Sequence, residues 1–324
     1  MHKNSAEALS AQNDSDIIII DTGGEVVTTY VFADNYFEMY INGNPVGKDK
    51  IPFTKFNSSI IRFKVKIPFT AAMLLIDWET HLGVGFEISN PNTFHMGDGG
   101  GAAVFINEQG TIIGKTDKRW KAQTFYISGI KDLSCVSEME SLRLSDDCNT
   151  DNTSDDSQYY GLHWNRPQNW MTPEFDDSGW PDAYEYTNTQ IGVNGKAAYS
   201  NFTNIFDAPN NDAMFIWSSN IILDNEVLVR SEVGGSVPVR KVSGKTVPFR
   251  AFQSTDGHWL ILEPEKRTVK PYGGEIVLYD MKGKKIASTN GLPGKINIVS
   301  FHGGLYILKL ELGLYKTGKK ILLH

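Results

Sequence analysis

Long apolar runs and blocks of basic residues are both missing from this chain of 324 residues. The apolar run "IIII" at 17–20 is far shorter than the roughly 20 residues that cross a membrane, so we predict no membrane span. A net charge of −7 without any basic block argues against nucleic acid as a partner. The chain is nevertheless long enough for two domains with a sizeable core.

The first 16 residues, "MHKNSAEALSAQNDSD", also lack the apolar segment of a secretory signal. Such a start is expected either of a cytosolic protein or of an exported protein in a mature or trimmed form. We predict that residues 1–16 are disordered.

Cysteine is scarce, with only Cys135 and Cys148 in the whole chain. A disulfide between them would close a short acidic loop, stabilise it by about 2–3 kcal/mol in the loop-entropy description, and favour an oxidising compartment. Two free thiols are the alternative. Residues 136–158 are acidic and rich in hydroxyl side chains, which predicts a mobile surface loop.

Helical periodicity does not persist for ten residues anywhere between 17 and 135, where short apolar segments alternate with Gly, Pro, Asn and Asp. This pattern predicts an all-β fold, with a first β-sandwich over residues 17–233. After Val233 the composition becomes rich in Gly, Pro, Ser and Lys, and the tail is basic where the front is acidic. We therefore expect a second, small Ig-like β-sandwich over residues 234–324.

Three segments of the tail follow one another in a characteristic order: "VLYDMKGKKIAS" (277–288), "GLYILKL" (304–310) and "KKILLH" (319–324). Together they resemble the C-terminal sorting domains that bacterial proteins carry for the type IX (Por) secretion machinery. The resemblance implies that this protein is exported, that the secretion machinery is a partner, and that the protein is secreted or held at the cell surface.

Two further segments, "ADNYFEMYINGNPVG" (33–47) and "FDDSGW" (175–180), resemble parts of galactose-binding-like jelly-roll domains, but in the opposite order. The resemblance implies either one permuted sandwich or two halves that complete each other, and we favour one sandwich. The motifs themselves are typical of structure, since Asn42-Gly43 predicts a tight hairpin turn and the Asp-rich run predicts another turn.

Acidic, amide and aromatic residues in turns and at strand ends are the candidate ligand-binding groups, because tryptophan rings stack on sugar rings and carboxylates or amides bind hydroxyl groups. These candidates are Asp77, Trp78, Glu79, Asp98, Trp120, Gln123 and Trp164. Core packing is the competing explanation for tryptophan, and we expect it for Trp180 and Trp217.

Histidine offers a different possibility in His81, His95 and His163, each within a motif-like setting. If the three imidazoles converged they would form a metal site, and Met96 beside His95 would suit copper. Three separately satisfied histidines are the alternative. The Asp-rich turns could also hold a structural Ca²⁺ ion.

These patterns favour a secreted or cell-surface binding protein without catalytic residues, whose partner is a glycan or another extracellular polymer. A surface copper-binding protein and a structural surface or filament subunit are alternatives. A glycosidase that uses Asp77 and Glu79 as its acids is a further alternative.

Overall fold

A computed structural model describes residues 2–50, 57–77, 86–90, 93–96, 99–139, 141–151, 159–208, 211–235, 249–264, 272–312 and 315–323. The chain divides into two compact units, Met1–Ser236 (unit 1) and Val237–His324 (unit 2). Sequence analysis placed the boundary near residue 234. The fold is all-β, as predicted, and no helix among the described residues is long and apolar enough to cross a membrane.

In its described residues, unit 1 is a β-sandwich of two mainly antiparallel sheets with three short helices. Its strands are β1 (Ile18–Ile19), β2 (Glu25–Asp34), β3 (Tyr36–Ile41), β4 (Asn44–Lys48), β5 (Asn57–Val65), β6 (Phe69–Ile76), β7 (Phe86–Asn90), β8 (Thr93–Met96), β9 (Gly100–Ile106), β10 (Ile112–Lys115), β11 (Lys121–Ile130), β12 (Ser137–Met139), β13 (Leu142–Leu144), β14 (Tyr160–His163), β15 (Tyr184–Tyr186), β16 (Phe215–Trp217) and β17 (Asp224–Val233). The helices are α1 (Ser5–Ser10), α2 (Ala197–Ser200) and α3 (Thr203–Phe206), and short 3-10 turns lie at Asp14–Asp16 and Leu133–Cys135.

The first sheet has the strand order β1-β5-β2-β9-β16-β15, with β10 paired to β9, and the second has the order β14-β11-β17-β6-β3-β4. The strand pairs β7–β8 and β12–β13 form separate two-stranded hairpins. Both resemblance motifs of the front region therefore lie in one unit, with the hairpin β3–β4 at one end of the second sheet.

Strand β3 shows how the alternating sequence creates the two faces of the second sheet. Phe37, Met39 and Ile41 are fully buried in the core between the sheets, whereas Tyr36, Glu38 and Tyr40 alternate with them on the outer face. The Asn42-Gly43 turn after the strand has φ angles of 48° and 81°, and β4 pairs back from Asn44. The predicted hairpin is confirmed.

Large aromatic side chains fill the space between the sheets. Phe32 contacts Tyr199 and Phe215 edge to face at centroid distances of 5.3 and 5.4 Å. Trp217 is fully buried in the same core, and Trp180 is buried on the outer side of the second sheet. The expectation that these two tryptophans pack in cores is confirmed.

The N-terminal segment is ordered rather than disordered, which corrects the prediction for residues 1–16 as far as they are described. Helix α1 begins at Ser5, with Asn4 as its N-cap, and Ala8 is buried in the core. Ser5 Oγ donates a hydrogen bond to Asn204 Oδ1 at 2.9 Å. The helix has only six residues, too few to be stable alone, so it depends on this packing against distant residues.

Cys135 and Cys148 form the predicted disulfide, with a Cα–Cα distance of 5.0 Å. The loop that it closes contains the hairpin β12–β13 and is docked, because Gln123 Nε2 donates a hydrogen bond to Ser141 O. The expectation of a mobile loop over 136–158 is therefore wrong for this hairpin. Residues 152–158 lie outside the described part of the chain.

Unit 2 is a smaller sandwich of a three-stranded and a four-stranded antiparallel sheet, ordered β18-β19-β22 and β21-β20-β23-β24. Its strands are β18 (Phe249–Gln253), β19 (Trp259–Pro264), β20 (Tyr272–Tyr279), β21 (Lys285–Leu292), β22 (Gly294–Asn297), β23 (Gly304–Leu312) and β24 (Tyr315–Leu323). Alternate residues such as Leu260, Leu262, Ile276 and Leu308 form its separate core.

Candidate ligand-binding site

The outer face of the second sheet of unit 1 carries a row of mainly polar and aromatic side chains at equivalent positions on neighbouring strands. Directly opposed residues of antiparallel strands point to the same face. The strand register aligns five residues in this way, namely His163, Tyr126, Glu226, Ile76 and Tyr36. The row crosses five strands and spans about 19 Å at an interstrand spacing of about 4.8 Å.

Residues 164–183 cover most of this outer face, and we call them the covering segment. Trp170 and Trp180 are buried against Leu74 and Leu228 of the sheet. Phe175 and Trp180 meet edge to face at 5.3 Å, so the two ends of the "FDDSGW" motif pack on each other. The motif therefore serves a structural purpose, as predicted from its turn-forming residues.

Arg230 on β17 fixes the covering segment to the sheet. Its guanidinium lies 3.0 Å from Asp177 Oδ2 and donates hydrogen bonds to Trp170 O at 2.6 Å and to Thr172 O at 3.0 Å. It also lies 5.1 Å from the ring centre of Phe175. Asp177 of the "FDDSGW" motif thus supplies the negative charge that balances the buried Arg230.

Glu38 lies beside the covering segment and accepts hydrogen bonds from two tyrosines of its own strand. Tyr36 Oη donates to Oε1 at 2.9 Å, and Tyr40 Oη donates to Oε2 at 2.6 Å. Burial, followed by the bond to Glu38, raises the pKa of Tyr36 above its usual value and that of Tyr40 to about 12. Both phenols are therefore hydrogen-bond donors to this carboxylate at physiological pH.

Glu226 and Arg166 form a bidentate pair close to Glu38. Arg166 Nε and Nη2 donate to the two carboxylate oxygens of Glu226, each at 2.6 Å, and this bonding raises the pKa of Arg166. Glu226 is buried, whereas the side chain of Arg166 is 42% exposed. The guanidinium is thus fixed in orientation by a buried acid and still faces solvent.

The other end of the row is a stack of two rings. Tyr126 and His163 lie nearly parallel, with ring centroids 4.0 Å apart, and His163 is exposed. Gly161 provides the room for this stack, because a Cβ atom at that position would lie 2.8 Å from the Tyr126 ring. The edge strand β14 therefore presents an imidazole face to solvent.

We call Tyr36, Glu38, Tyr40, Arg166 and Glu226 the sheet-face cluster. Tyr36 and Glu226 form a buried floor, and Glu38, Tyr40 and Arg166 are accessible at its rim. The cluster combines fixed hydrogen-bond acceptors, a fixed guanidinium donor and tyrosine rings. With the Tyr126–His163 stack beside it, the site can bind hydroxyl groups and apolar ring faces together.

Three of the predicted ligand-binding residues are buried instead. Trp120 is 2% exposed, stacks on Phe105 at 6.2 Å and donates from Nε1 to Lys115 O at 2.9 Å. Gln123 is also 2% exposed, and Asp77 is buried with its N–H bonded to Asn225 O at 2.9 Å. None of these three side chains is presented at the surface as expected, because Trp120 packs in the core between the sheets and Gln123 lies under the hairpin β12–β13. Their contact with a ligand stays a prediction.

Trp164 is half-buried at the start of the covering segment, where its ring lies 4.7 Å from the guanidinium carbon of Arg143. It borders the candidate site but stacks on a protein group. The remaining predicted residues Trp78, Glu79, His81 and Asp98 lie outside the described residues. Their roles stay predictions.

The predicted convergence of His81, His95 and His163 also stays a prediction, since His81 lies outside the described residues and His95 lies on β8. His163 is stacked on Tyr126. Within the described ranges, no group of three or more His, Cys, Asp or Glu side chains is arranged to hold a metal ion, copper and calcium included.

Sequence reasoning missed most of the sheet-face cluster. The alternation of Tyr36, Glu38 and Tyr40 with apolar residues predicts a half-buried strand, and nothing in that local pattern indicates a binding site. Arg166 and Glu226 carry no local motif, and only the strand register brings them to Glu38.

No protein-family model and no curated protein matches the sequence. Among solved structures, a β-glucuronidase from Faecalibacterium prausnitzii is 8% identical, with a TM-score of 0.21 over 94% of this chain and 35% of the glucuronidase. This chain therefore spans about a third of that enzyme's length. A Pleurotus ostreatus lectin in complex with GalNAc is 11% identical, with a TM-score of 0.23 over 95% of this chain and 74% of the lectin. A Streptomyces avermitilis α-L-rhamnosidase complexed with L-rhamnose is 11% identical, with a TM-score of 0.24 over 95% of this chain and 25% of that enzyme. Similarities this low do not bear on fold or function.

Proposed function

We propose that unit 1 binds a glycan, without catalysis, at the sheet-face cluster and the adjoining Tyr126–His163 stack. The observation that carries the proposal is the fixed geometry of two carboxylates on one sheet face. Glu38 is held by two tyrosine hydroxyls, and Glu226 is held by two nitrogens, Nε and Nη2, of the Arg166 guanidinium. Preorganised polar groups of this kind reduce the entropy lost on binding.

The combination of groups matches the chemistry of sugars. Carboxylate oxygens of Glu38 accept hydroxyl hydrogen bonds, and the guanidinium of Arg166 donates to ring or hydroxyl oxygens. Tyrosine and histidine rings pack on the apolar faces of sugar rings. A row of about 19 Å suits an oligomer better than a single ring.

Binding alone is the simpler function for this site, because protein donors already engage both carboxylates. Glu226 is paired at both oxygens by Arg166, and Glu38 accepts one tyrosine hydroxyl at each oxygen. A glycosidase would instead need one carboxyl group free to give up a proton to the leaving group.

Export to the cell surface is part of the same proposal. It is supported by the Cys135–Cys148 disulfide, a bond that persists mainly in oxidising compartments, and by the resemblance of the tail to sorting domains. Extracellular polysaccharides are the polymers that such a protein would meet.

Isothermal titration of the full chain with cellohexaose, xylohexaose, mannohexaose, maltohexaose and chitohexaose tests the proposal. We expect at least one to bind, and we expect Glu38→Gln and Arg166→Met each to weaken that binding by about tenfold, the loss of roughly one charged hydrogen bond. Glu174→Gln and Arg119→Met, which change exposed residues outside the cluster, are the matched controls.

Two results would contradict the proposal. One is that none of the five oligosaccharides binds. The other is that binding survives both cluster substitutions unchanged, which would place the ligand on another surface.

A further inference from the structure

The hairpin β12–β13 is held to the second sheet from inside the disulfide loop. Ser141 Oγ donates to Gly179 O at 2.6 Å, and Ser145 Oγ donates to Asp224 Oδ1 at 2.7 Å. Asp224 is fully buried, so Ser145 satisfies a carboxylate that no solvent reaches. The loop between Cys135 and Cys148 is thus a structural part of the sandwich.

Arg143 projects from this hairpin between two aromatic rings. Its guanidinium carbon lies 4.5 Å from the ring centre of Phe125 and 4.7 Å from that of Trp164, and Nη1 donates to Thr124 O. Burial lowers the pKa of Arg143 to about 10, so it stays a cation at neutral pH. The cation–π contacts with the two rings and the hydrogen bond to Thr124 O offset the desolvation cost of the partly buried guanidinium.

Trp164 connects Arg143 to the proposed site. Its N–H donates to Phe125 O at 3.0 Å, which extends the pairing of β14 with β11 by one residue. The preceding residue, His163, stacks on Tyr126, and Arg166 follows two residues later. Arg143 therefore contacts the chain at Trp164, between His163 and Arg166, the two exposed residues of the site.

We propose that Arg143, held in place by the Cys135–Cys148 disulfide, is a positioning residue for the glycan site. It acts through Trp164, which sets the places of His163 and Arg166. Opening the disulfide removes the constraint on the loop that carries Arg143 and raises the entropic cost of inserting it between the rings. Glycan binding is therefore strongest in the oxidised protein. This inference rests on the proposed function.

The first test substitutes Arg143 in the full chain. We expect Arg143→Met to weaken binding of the oligosaccharide that binds the wild type by about tenfold, as misplacing one charged contact would. Hydrogen exchange at the Trp164 amide should accelerate by a similar factor. Arg143→Lys, which keeps the charge, should restore part of the affinity and part of the exchange protection. Arg119→Met, which removes a different, exposed arginine, should change neither the affinity nor the exchange rate.

A thermodynamic cycle separates positioning from general stabilisation. If Arg143 acts through the segment that carries Arg166, the double variant Arg143→Met, Arg166→Met should lose less affinity than the product of the two single losses. A combined loss equal to that product would overturn the inference. Unchanged binding and unchanged exchange at Trp164 in Arg143→Met would overturn it as well.

Reduction of the wild type, or the pair Cys135→Ser and Cys148→Ser, tests the disulfide without changing Arg143. We expect weaker binding and faster Trp164 exchange in both, and equal affinity in the oxidised and reduced proteins would refute the role of the disulfide. Absence of binding by the oxidised wild type would overturn the proposed function and this inference with it. Binding that is lost in Glu38→Gln but kept in Arg143→Met would leave the function standing and overturn this inference alone.

Discussion

Replacing Arg230 by methionine should destabilise unit 1 more than any change to a surface charge. Arg230 is 4% exposed, and methionine retains the apolar stem while it removes the guanidinium. The substitution deletes hydrogen bonds to Trp170 O and Thr172 O and leaves Asp177 without the cation 3.0 Å away. The covering segment would lose its buried arginine contact to the middle of the segment and keep the Arg166–Glu226 pair at its start.

The magnitude follows from the surroundings of these groups. Removing one partner of a buried ion pair costs about 3–5 kcal/mol. Asp177 is 24% exposed at its side chain and can regain some water, so the lower end, about 3 kcal/mol, is expected. For a unit of this size such a loss lowers the melting temperature by roughly 6–12 °C. Asp177→Asn, which leaves Arg230 bonded to both carbonyls, should cost about 1 kcal/mol.

Urea and thermal unfolding followed by tryptophan fluorescence measure the effect. Six of the seven tryptophans lie in unit 1, so the signal reports mainly on this unit. Arg119→Met, which removes an exposed arginine, should change stability by less than about 0.5 kcal/mol. A melting temperature for Arg230→Met within about 2 °C of wild type would refute the reasoning. It would mean that the other contacts of the covering segment, such as its aromatic packing and the Arg166–Glu226 pair, are sufficient to hold it.

Two other predictions concern the interior of unit 1. Burial raises the pKa of Asp224 to about 6, above the ordinary 3.8, so the folded protein binds this proton more tightly. Protonation of Asp224 should therefore stabilise the fold fully below about pH 4, and this stabilisation, on the order of 3 kcal/mol, should be lost as the pH rises to about 6. Asp224→Asn should flatten this part of the plot of unfolding free energy, measured with urea, against pH. An unaltered profile in the variant would assign the titration to another group. Gly161→Ala should cost about 1–3 kcal/mol in thermal unfolding, because the new Cβ meets the Tyr126 ring at 2.8 Å, and it should also change the ring-current shift of the His163 imidazole. A variant with wild-type stability and shifts would show that Tyr126 moves aside freely.

Local patterns predicted the parts of the fold that depend on neighbouring residues. The period-two alternation of Tyr36–Ile41 and the Asn42-Gly43 turn were sufficient for the hairpin β3–β4, because strand faces and turn angles are set locally. The disulfide was predictable because Cys135 and Cys148 are the only two cysteines.

Burial could not be read from the sequence in the same way. Trp120 and Trp164 both lie in polar sequence, yet one is in the core and the other borders the candidate site. Their burial differs because different elements pack on the two faces of the second sheet. The first sheet packs on the inner face and the covering segment packs on the outer face. The acidic loop was misjudged for the same reason, because Arg143 is half-buried and Ser145 is buried only through contacts with residues outside the loop, Thr124 and Asp224.

The candidate site shows why distant pairing limits prediction most where function is concerned. Glu38 and Glu226 are separated by 188 positions, and only the order β17-β6-β3 brings their strands within two spacings of each other. Arg166 then joins them because the covering segment begins at Trp164 and is attached to the same sheet by Arg230. The segment that excludes water from most of the outer face therefore also delivers the guanidinium to the part that stays accessible. Substitutions that loosen the cover should weaken binding even where they touch no ligand, and this links the stability of Arg230 variants to the affinity of the sheet-face cluster.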